Sequence, residues 1–182
     1  MKEIRWHGRG GQGAFTAARL LGGAASVFEG KNALAFPSFG PERRGAPVLA
    51  FTRIDDQPVT DRSEVKECDV VIVLDDTLFG DNVRQGLRPG ATVIINTIRG
   101  ASAFAVDGCR VMTIPATDLA LEVLGKPITN VPMVGALVAA TEFVALESVE
   151  KAIEEQMAPK LREKNKKLLE KAYALAKEVK NE

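Results

Sequence analysis

The segment Ile4-Arg5-Trp6-His7-Gly8-Arg9-Gly10-Gly11-Gln12-Gly13 limits the fold more than any other stretch of the chain. Glu3 to Trp6 reads as a short strand, and the glycines follow at once. Small or apolar residues at helical spacing (Ala14, Ala17, Ala18, Leu20, Leu21, Ala24) then run on to about Glu29-Gly30. Strand, glycine loop and helix in that order form the opening of a βαβ unit. Gly8, Gly10 and Gly13 match G-x-G-x-x-G in the context that pattern requires. The first glycines are expected to take backbone conformations closed to residues with a Cβ. The loop is expected to aim free N–H groups of the helix start at an anion, a phosphate or a carboxylate. The competing reading is that the glycines only permit tight strand–helix packing, and spacing leaves both open. Gln12 adds a side chain able to hydrogen-bond a ligand or a neighbouring chain.

The rest of the chain continues the alternation. Ala33 to Phe36 reads as a buried strand beside the first. It leads into Pro37-Ser38-Phe39-Gly40-Pro41-Glu42-Arg43-Arg44-Gly45-Ala46-Pro47, a loop by its prolines and glycines. Val48 to Ile54 is a further strand. Val70-Val71-Ile72-Val73-Leu74 is a β-branched run of the kind found where a parallel strand is covered on both faces, closed by Asp75-Asp76. A helix is expected over Thr77 to Gln85, a turn at Pro89-Gly90, and strands at Thr92 to Asn96 and Arg110 to Ile114. Helices follow over Thr117 to Leu124, Pro132 to Leu146, Ser148 (as N-cap) to Met157, and Pro159 to about Val179. In the last of these Leu161, Leu168, Ala172, Leu175 and Val179 make a narrow apolar stripe among charges. It suits either a surface helix packed on the body or a partner-docking helix. The expected architecture is α/β: a single Rossmann-like domain over residues 1–182, doubly wound, with a mainly parallel sheet flanked by helices and a helical C-terminal third.

Composition removes several kinds of chemistry. Lys plus Arg number 24 and Asp plus Glu 24, so zero net charge gives no overall footprint for nucleic acid or an anionic membrane. The longest apolar stretch, Val131 to Leu146, is broken by Pro132, Gly135 and Glu142 and falls short of the ~20 residues of a spanning helix. The start has no apolar signal region, and two cysteines without C-x-x-C spacing suit a reducing compartment, so a cytoplasmic protein is expected. With one histidine, His7, and two cysteines, Cys68 and Cys109, the chain cannot by itself complete a Cys/His zinc site or an iron–sulfur cluster, each of which takes about four ligands. No metal-ligating and no catalytic residue is assigned.

Nucleotide motifs narrow the field further. A nicotinamide fingerprint expects an acidic residue at the end of the second strand to hold the ribose, and here that strand ends Ala35-Phe36-Pro37. G-x-x-x-x-G-K-[ST] is absent, which excludes a P-loop. Glu42, Arg43, Arg44 and Gly45 should lie at the carboxyl end of a strand near the glycine loop, where loops of a doubly wound sheet converge on one crevice. Two arginines there can grip phosphate or carboxylate bidentately, or Glu42 can simply pair with one of them in solvent. His7 borders the same crevice, as a packed residue or as a base.

These residues carry a resemblance. Ile4 to Gly13, with Ala35-Phe36-Pro37-Ser38-Phe39-Gly40-Pro41-Glu42-Arg43-Arg44-Gly45-Ala46-Pro47-Val48, is similar to the gamma subunit of 2-oxoacid:ferredoxin oxidoreductases of the pyruvate/2-ketoisovalerate type. Asn130-Val131-Pro132-Met133-Val134-Gly135-Ala136-Leu137 resembles a third region of that family, departing from it at Val131-Pro132. The likeness extends from about residue 2 to residue 180. It implies a complex that converts a 2-oxoacid (pyruvate first), coenzyme A (CoA) and oxidised ferredoxin into acyl-CoA, carbon dioxide and reduced ferredoxin. It implies alpha, beta and delta subunits as partners, with thiamine diphosphate, Mg2+ and 4Fe-4S clusters held on them and no cofactor bound by this chain alone. Ferredoxin is then met only indirectly. By the same likeness, Gly8, Gly10, Gly11, Gln12 and Gly13, with Glu42, Arg43, Arg44 and Gly45, form two loops at a subunit junction with a possible CoA contact. A free-standing nucleotide-binding protein of Rossmann-like fold and a ligand-free scaffold module are the alternatives.

Overall fold

A computed structural model describes residues 1–38 and 43–181. Its six strands are β1 (Lys2–Arg9), β2 (Asn32–Pro37), β3 (Pro47–Asp55), β4 (Cys68–Val73), β5 (Leu87–Asn96) and β6 (Arg110–Ile114). Six helices accompany them: α1 (Ala14–Phe28), α2 (Asp81–Arg84), α3 (Ala116–Leu124), α4 (Asn130–Thr141), α5 (Leu146–Gln156) and α6 (Pro159–Asn181). The strands form one sheet in the order β2-β3-β1-β4-β5-β6. β1, β4, β5 and β6 pair in parallel, and β3 runs against both of its neighbours.

That order corrects the expectation that β2 lies beside β1. Parallel neighbours need a crossover of a dozen or more residues, whereas an antiparallel pair needs only a short link. Only residues 38–46 separate β2 from β3, fewer than such a crossover needs, so the chain doubles back, β3 pairs antiparallel with β2, and β3 takes the place next to β1. β2 is left at the sheet edge, where only Phe36 of its residues is fully buried.

Side-chain alternation separates two faces. Ile4, Trp6, Val70, Ile72, Ile94 and Met112 pack under α1, α4, α5 and α6. Phe51, Val71, Val73, Val93 and Ile95 face a thinner cover that includes Leu78, Val83 and Phe104. The β-branched run of β4 is buried on both sides, as its composition requires. Trp6 Nε1 donates to Thr52 Oγ1 (3.0 Å), which donates in turn to the Ala18 carbonyl (3.1 Å), tying α1 across β3. α4 is buried at every residue from Val131 to Ala140. It lies so close to α6 that a Cβ on Gly135 would stand 2.7 Å from the Leu169 carbonyl oxygen. The stripe of α6 buries Leu168 and Ala172 and leaves Leu161 47% exposed. Lys166, Lys171 and Lys177 bridge to Glu154, Glu122 and Glu142, so this helix is packed on the body.

Several boundaries differ from the sequence reading. The helix expected over Thr77 to Gln85 is a 3₁₀ turn, Asp76–Leu78, followed after Phe79-Gly80 by the short α2. Pro89-Gly90 lies inside β5 as a bulge, where Gly90 (φ 77°) donates to the Gly108 carbonyl while the pairing with β4 slips. α4 stops at Thr141, not Leu146, because Glu142 turns left-handed (φ 58°). α5 starts at Leu146. Glu29 takes the Ala145 N–H (2.6 Å) and also bonds the Ser148 hydroxyl, so Ser148 sits buried in the first turn and is not the cap. No helix among the described residues is long and apolar enough to cross a membrane.

Candidate functional site

The carboxyl ends of β1 and β4 lie side by side, and Leu74 N–H still bonds the His7 carbonyl (2.8 Å) beyond the last paired residue of β4. The chain leaves β1 into the glycine loop and leaves β4 into Asp75-Asp76. A crevice opens between two loops running to opposite faces, the place where open α/β sheets take ligands.

Glycine serves this loop differently from the expectation. Positive φ falls at Gly11 (95°) and Gly13 (81°), not at Gly8 or Gly10. Gly10 is needed for close approach, since a Cβ there would collide with the Arg43 carbonyl oxygen. The contact it permits joins the two predicted loops: Gly10 N–H donates to Ala46 O (2.8 Å), Gly45 N–H donates to Gly10 O (3.0 Å), and Gly10 bridges Arg44. Gly13 occupies the position before α1 and supplies no side-chain cap. The first N–H groups of α1 therefore have no intrahelical acceptor, the feature that makes a helix start receptive to anions. The start of α4 lies close by, with Asn130 Nδ2 2.9 Å from where a Gly13 Cβ would stand. Asn130 spends its oxygen on the Val131 N–H (2.9 Å).

Arg43, Arg44 and Gly45 are exposed beside Gly10 and Gly11. Among the described residues neither arginine has an ion pair. Glu42 lies outside the described residues. Gln12, expected to reach a ligand or a neighbour, is engaged within the chain: Oε1 accepts from Arg9 N–H (2.7 Å) and Nε2 donates to Asp75 Oδ2 (3.2 Å). Arg9 lies across both loops, with Nε on Asp75 Oδ2 (3.0 Å), Nη2 on Thr77 Oγ1 (2.8 Å) and Nη1 on Gly45 O (3.1 Å). Burial alone would raise the Asp75 carboxyl, but bonds from Thr77, Gln12 and Arg9 outweigh it and hold the group below the ordinary carboxylate range.

Clefts flank the glycine loop on both sides. One of about 650 Å³ lies over the thinly covered sheet face and is lined by Arg5, His7, Gly8, Pro47, Asn82 and Gln85, among others. His7 is 3% exposed and accepts through Nε2 from Arg5 Nε (2.9 Å). Burial, reinforced by the Arg5 charge, pushes its pKa down to about 3. The imidazole is therefore neutral at physiological pH, with one ring nitrogen engaged, and is a poor general base. Arg5 Nη2 also donates to Val83 O (3.0 Å) and Gln85 O (2.6 Å) at the end of α2. These bonds make the pair part of the packing. The second cleft, about 510 Å³, lies beside Gln12, Asp75, Asn96 and Thr129. Among the described residues no three His, Cys, Asp or Glu side chains gather where a metal could sit.

The two loops meet as expected, though through β3 and not through a β2 placed beside β1, and the residues that hold them went unnoticed in the sequence. Asp75 and Thr77 carried no motif, since Asp75-Asp76 read only as the end of a strand. Their role follows from the β1–β4 pairing, which brings together residues 66 apart in sequence. Asn130 did carry a signal, within the third stretch that supported the resemblance.

Comparisons with known proteins bear on the family and the fold. A family model described as pyruvate ferredoxin/flavodoxin oxidoreductase matches residues 3–175. The chain is 52% identical to pyruvate synthase subunit PorC of Methanocaldococcus jannaschii, over 95% of this chain and 96% of that one. It is 49% identical to the pyruvate/ketoisovalerate oxidoreductases common subunit gamma of Thermococcus kodakarensis, over 95% and 96% respectively. The solved structure of pyruvate oxidoreductase subunit PORC from Thermotoga maritima superposes with a TM-score of 0.84 at 38% identity, covering 95% of each chain.

Proposed function

The chain belongs to the pyruvate ferredoxin/flavodoxin oxidoreductase family, and from that premise we propose that it supplies a coenzyme-binding edge to a complex whose redox chemistry sits on other subunits. It is a gamma subunit of a multi-subunit 2-oxoacid:ferredoxin oxidoreductase, which decarboxylates a 2-oxoacid oxidatively, passing the acyl group to CoA and the electrons to ferredoxin. Pyruvate is the substrate proposed first. The partners are alpha, beta and delta subunits. Thiamine diphosphate with Mg2+ and 4Fe-4S clusters are assigned to those partners; for the clusters the reason lies in this chain, which has only Cys68, buried with its thiol pushed up by burial, and Cys109. Thiamine diphosphate supplies the decarboxylation chemistry when bound. The whole of residues 1–182 acts as one domain, in the cytoplasm.

The observation that supports the CoA contact is the junction of Gly10 with Arg43-Arg44-Gly45 beside the start of α1. There, the start of α1, whose first N–H groups have no intrahelical acceptor, lies beside two exposed arginines without ion pairs among the described residues. CoA carries a pyrophosphate and a ribose phosphate, and both helix starts and bidentate guanidinium groups suit such anions. Gly8, Gly10, Gly11, Gln12 and Gly13 shape the loop. Arg43 and Arg44 give it charge, with Gly45 beside them. His7 takes no proton in the reaction.

Two experiments test this. Affinity-tagged chain purified from its native host should bring down subunits containing thiamine diphosphate and iron–sulfur clusters, and a chain recovered alone contradicts the assembly. The Arg43→Ala/Arg44→Ala double variant, in assembled complex, should raise the KM for CoA. An unchanged KM with intact assembly contradicts the CoA contact.

A further inference from the structure

Asp75 is a carboxylate at the mouth of a crevice read above as anion-binding, an adverse place for a negative charge unless it is neutralised and put to use. Its four hydrogen bonds show how both conditions are met. Oδ1 accepts from the Thr77 N–H (3.1 Å) and the Thr77 hydroxyl (2.5 Å), which closes the loop after β4 on itself. Oδ2 accepts from Arg9 Nε (3.0 Å) and Gln12 Nε2 (3.2 Å), both on the glycine loop. Gln12 returns the connection by accepting the Arg9 N–H (2.7 Å). Arg9 then carries it to the second loop through Nη1 and the Gly45 carbonyl (3.1 Å). One carboxylate thus joins three chain segments that are far apart in sequence, and among the described residues the only cation it uses is Arg9. Arg43 and Arg44 are left to supply the positive charge at the rim.

We propose that Asp75 is a positioning residue for CoA binding: without touching the coenzyme, it fixes the glycine loop and, through Arg9, the arginine loop in the single relation that the phosphates require. This rests on the CoA reading of the preceding section. Preorganisation of this kind acts on binding, because a loop ordered in advance loses less freedom when the ligand arrives. The clasp must therefore appear in the KM for CoA rather than in the chemical step.

The test uses the assembled complex with four variants: Asp75→Asn, Arg9→Gln, the two combined, and Arg43→Ala/Arg44→Ala. Asp75→Asn removes the charge and keeps the shape, so the KM for CoA should rise about tenfold, as expected for a lost charge-assisted hydrogen bond. The KM for the 2-oxoacid should not change, and kcat at saturating CoA should shift less than about twofold. Because Asp75 and Arg9 act largely through one another, the combined variant should fall well short of the product of the two single effects. If Arg43→Ala/Arg44→Ala raises the KM for CoA and Asp75→Asn does not, the positioning role is overturned and the CoA reading stands. If neither raises it, both are overturned. A rise for Asp75→Asn alone supports the clasp acting through the glycine loop and removes the arginines from the site. A fall in kcat proportional to lost assembly assigns Asp75 to subunit contact and overturns the proposal. Should Asp75→Asn fail to assemble, Thr77→Val, which removes one anchor of Arg9, should still raise the KM for CoA two- to threefold; no rise overturns the proposal.

Discussion

Two charged clusters lie at opposite ends of β1, built from the same residue types and serving opposite ends. At the amino end Glu3 accepts from Arg53 Nε (2.8 Å) and Arg88 Nη2 (2.5 Å), while Arg88 Nη1 reaches Asp69 (2.9 Å) and Asp69 takes the Glu3 N–H (2.8 Å). The side chains of Glu3 and Arg53 are 9% and 3% exposed, and Arg53 also donates to the carbonyls of Asp61 and Ser63. The charges are matched inside the chain, so this cluster fastens β1 to β3, β5 and the 61–63 loop. At the carboxyl end Arg9 and Asp75 likewise pair, but at 33% and 20% exposure, and Arg43 and Arg44 extend past them into solvent. Buried and matched charge holds neighbouring strands of the sheet together. The partly exposed pair, beside exposed arginines without ion pairs among the described residues, marks the end at which the CoA contact is proposed.

The comparison can be broken by asking each end to do the other's work. The largest effect on stability should come from Glu3→Ala, which strips the buried Arg53 of its main partner. About 3 kcal/mol should be lost in chemical denaturation, with no change in the KM for CoA in complexes that assemble. Next, Arg43→Ala/Arg44→Ala should raise the KM for CoA roughly 10–100-fold and leave the denaturation midpoint unmoved, since the loss of one charged hydrogen bond to the coenzyme costs about 1.5–3 kcal/mol of binding. Between the two ends sits His7. Its pKa is about 3 in the fold against 6.5 ordinarily, so between these pH values only the unfolded chain takes up the proton. Its contribution is thus complete above pH 6.5 and falls as pH drops toward 3, by about 1.4 kcal/mol per pH unit. Denaturation from pH 7 to pH 4 should show that slope flattened in His7→Gln, which keeps an acceptor for Arg5. An equal slope in both proteins contradicts a neutral buried imidazole. The smallest effect is expected far from either end. Lys166→Ala removes an exposed pair with Glu154 and should leave the melting temperature within measurement error.

Much of the fold was legible because local pattern and burial agree. The run Val70 to Leu74 is a doubly covered strand, and the turn of sequence around Gly8 to Gly13 does join a strand to a helix. The two loops were expected to converge, but on the premise that β2 lies beside β1; they meet instead because β3, starting at Pro47 opposite Arg9, runs antiparallel to β1. The strand order was misread where the length of residues 38–46 should have argued for a hairpin. Ser148 failed as a cap because Glu29, a residue of another segment, decides where α5 begins. Asp75 could not be found from sequence at all. Nothing local separates it from any other aspartate after a strand, and it acquires partners only when β4 pairs with β1. Motif reading finds residues that act through their own backbone or charge, and overlooks those that act by holding others.

Hydrogen–deuterium exchange of the assembled complex, with and without CoA, tests the division between the two ends most directly. Coenzyme should slow exchange at residues 8–16 and 43–46 and leave the amide protons around Glu3, Asp61 to Asp69 and Arg88 unchanged. Unchanged exchange at both loops in complex shown to bind CoA would contradict the account.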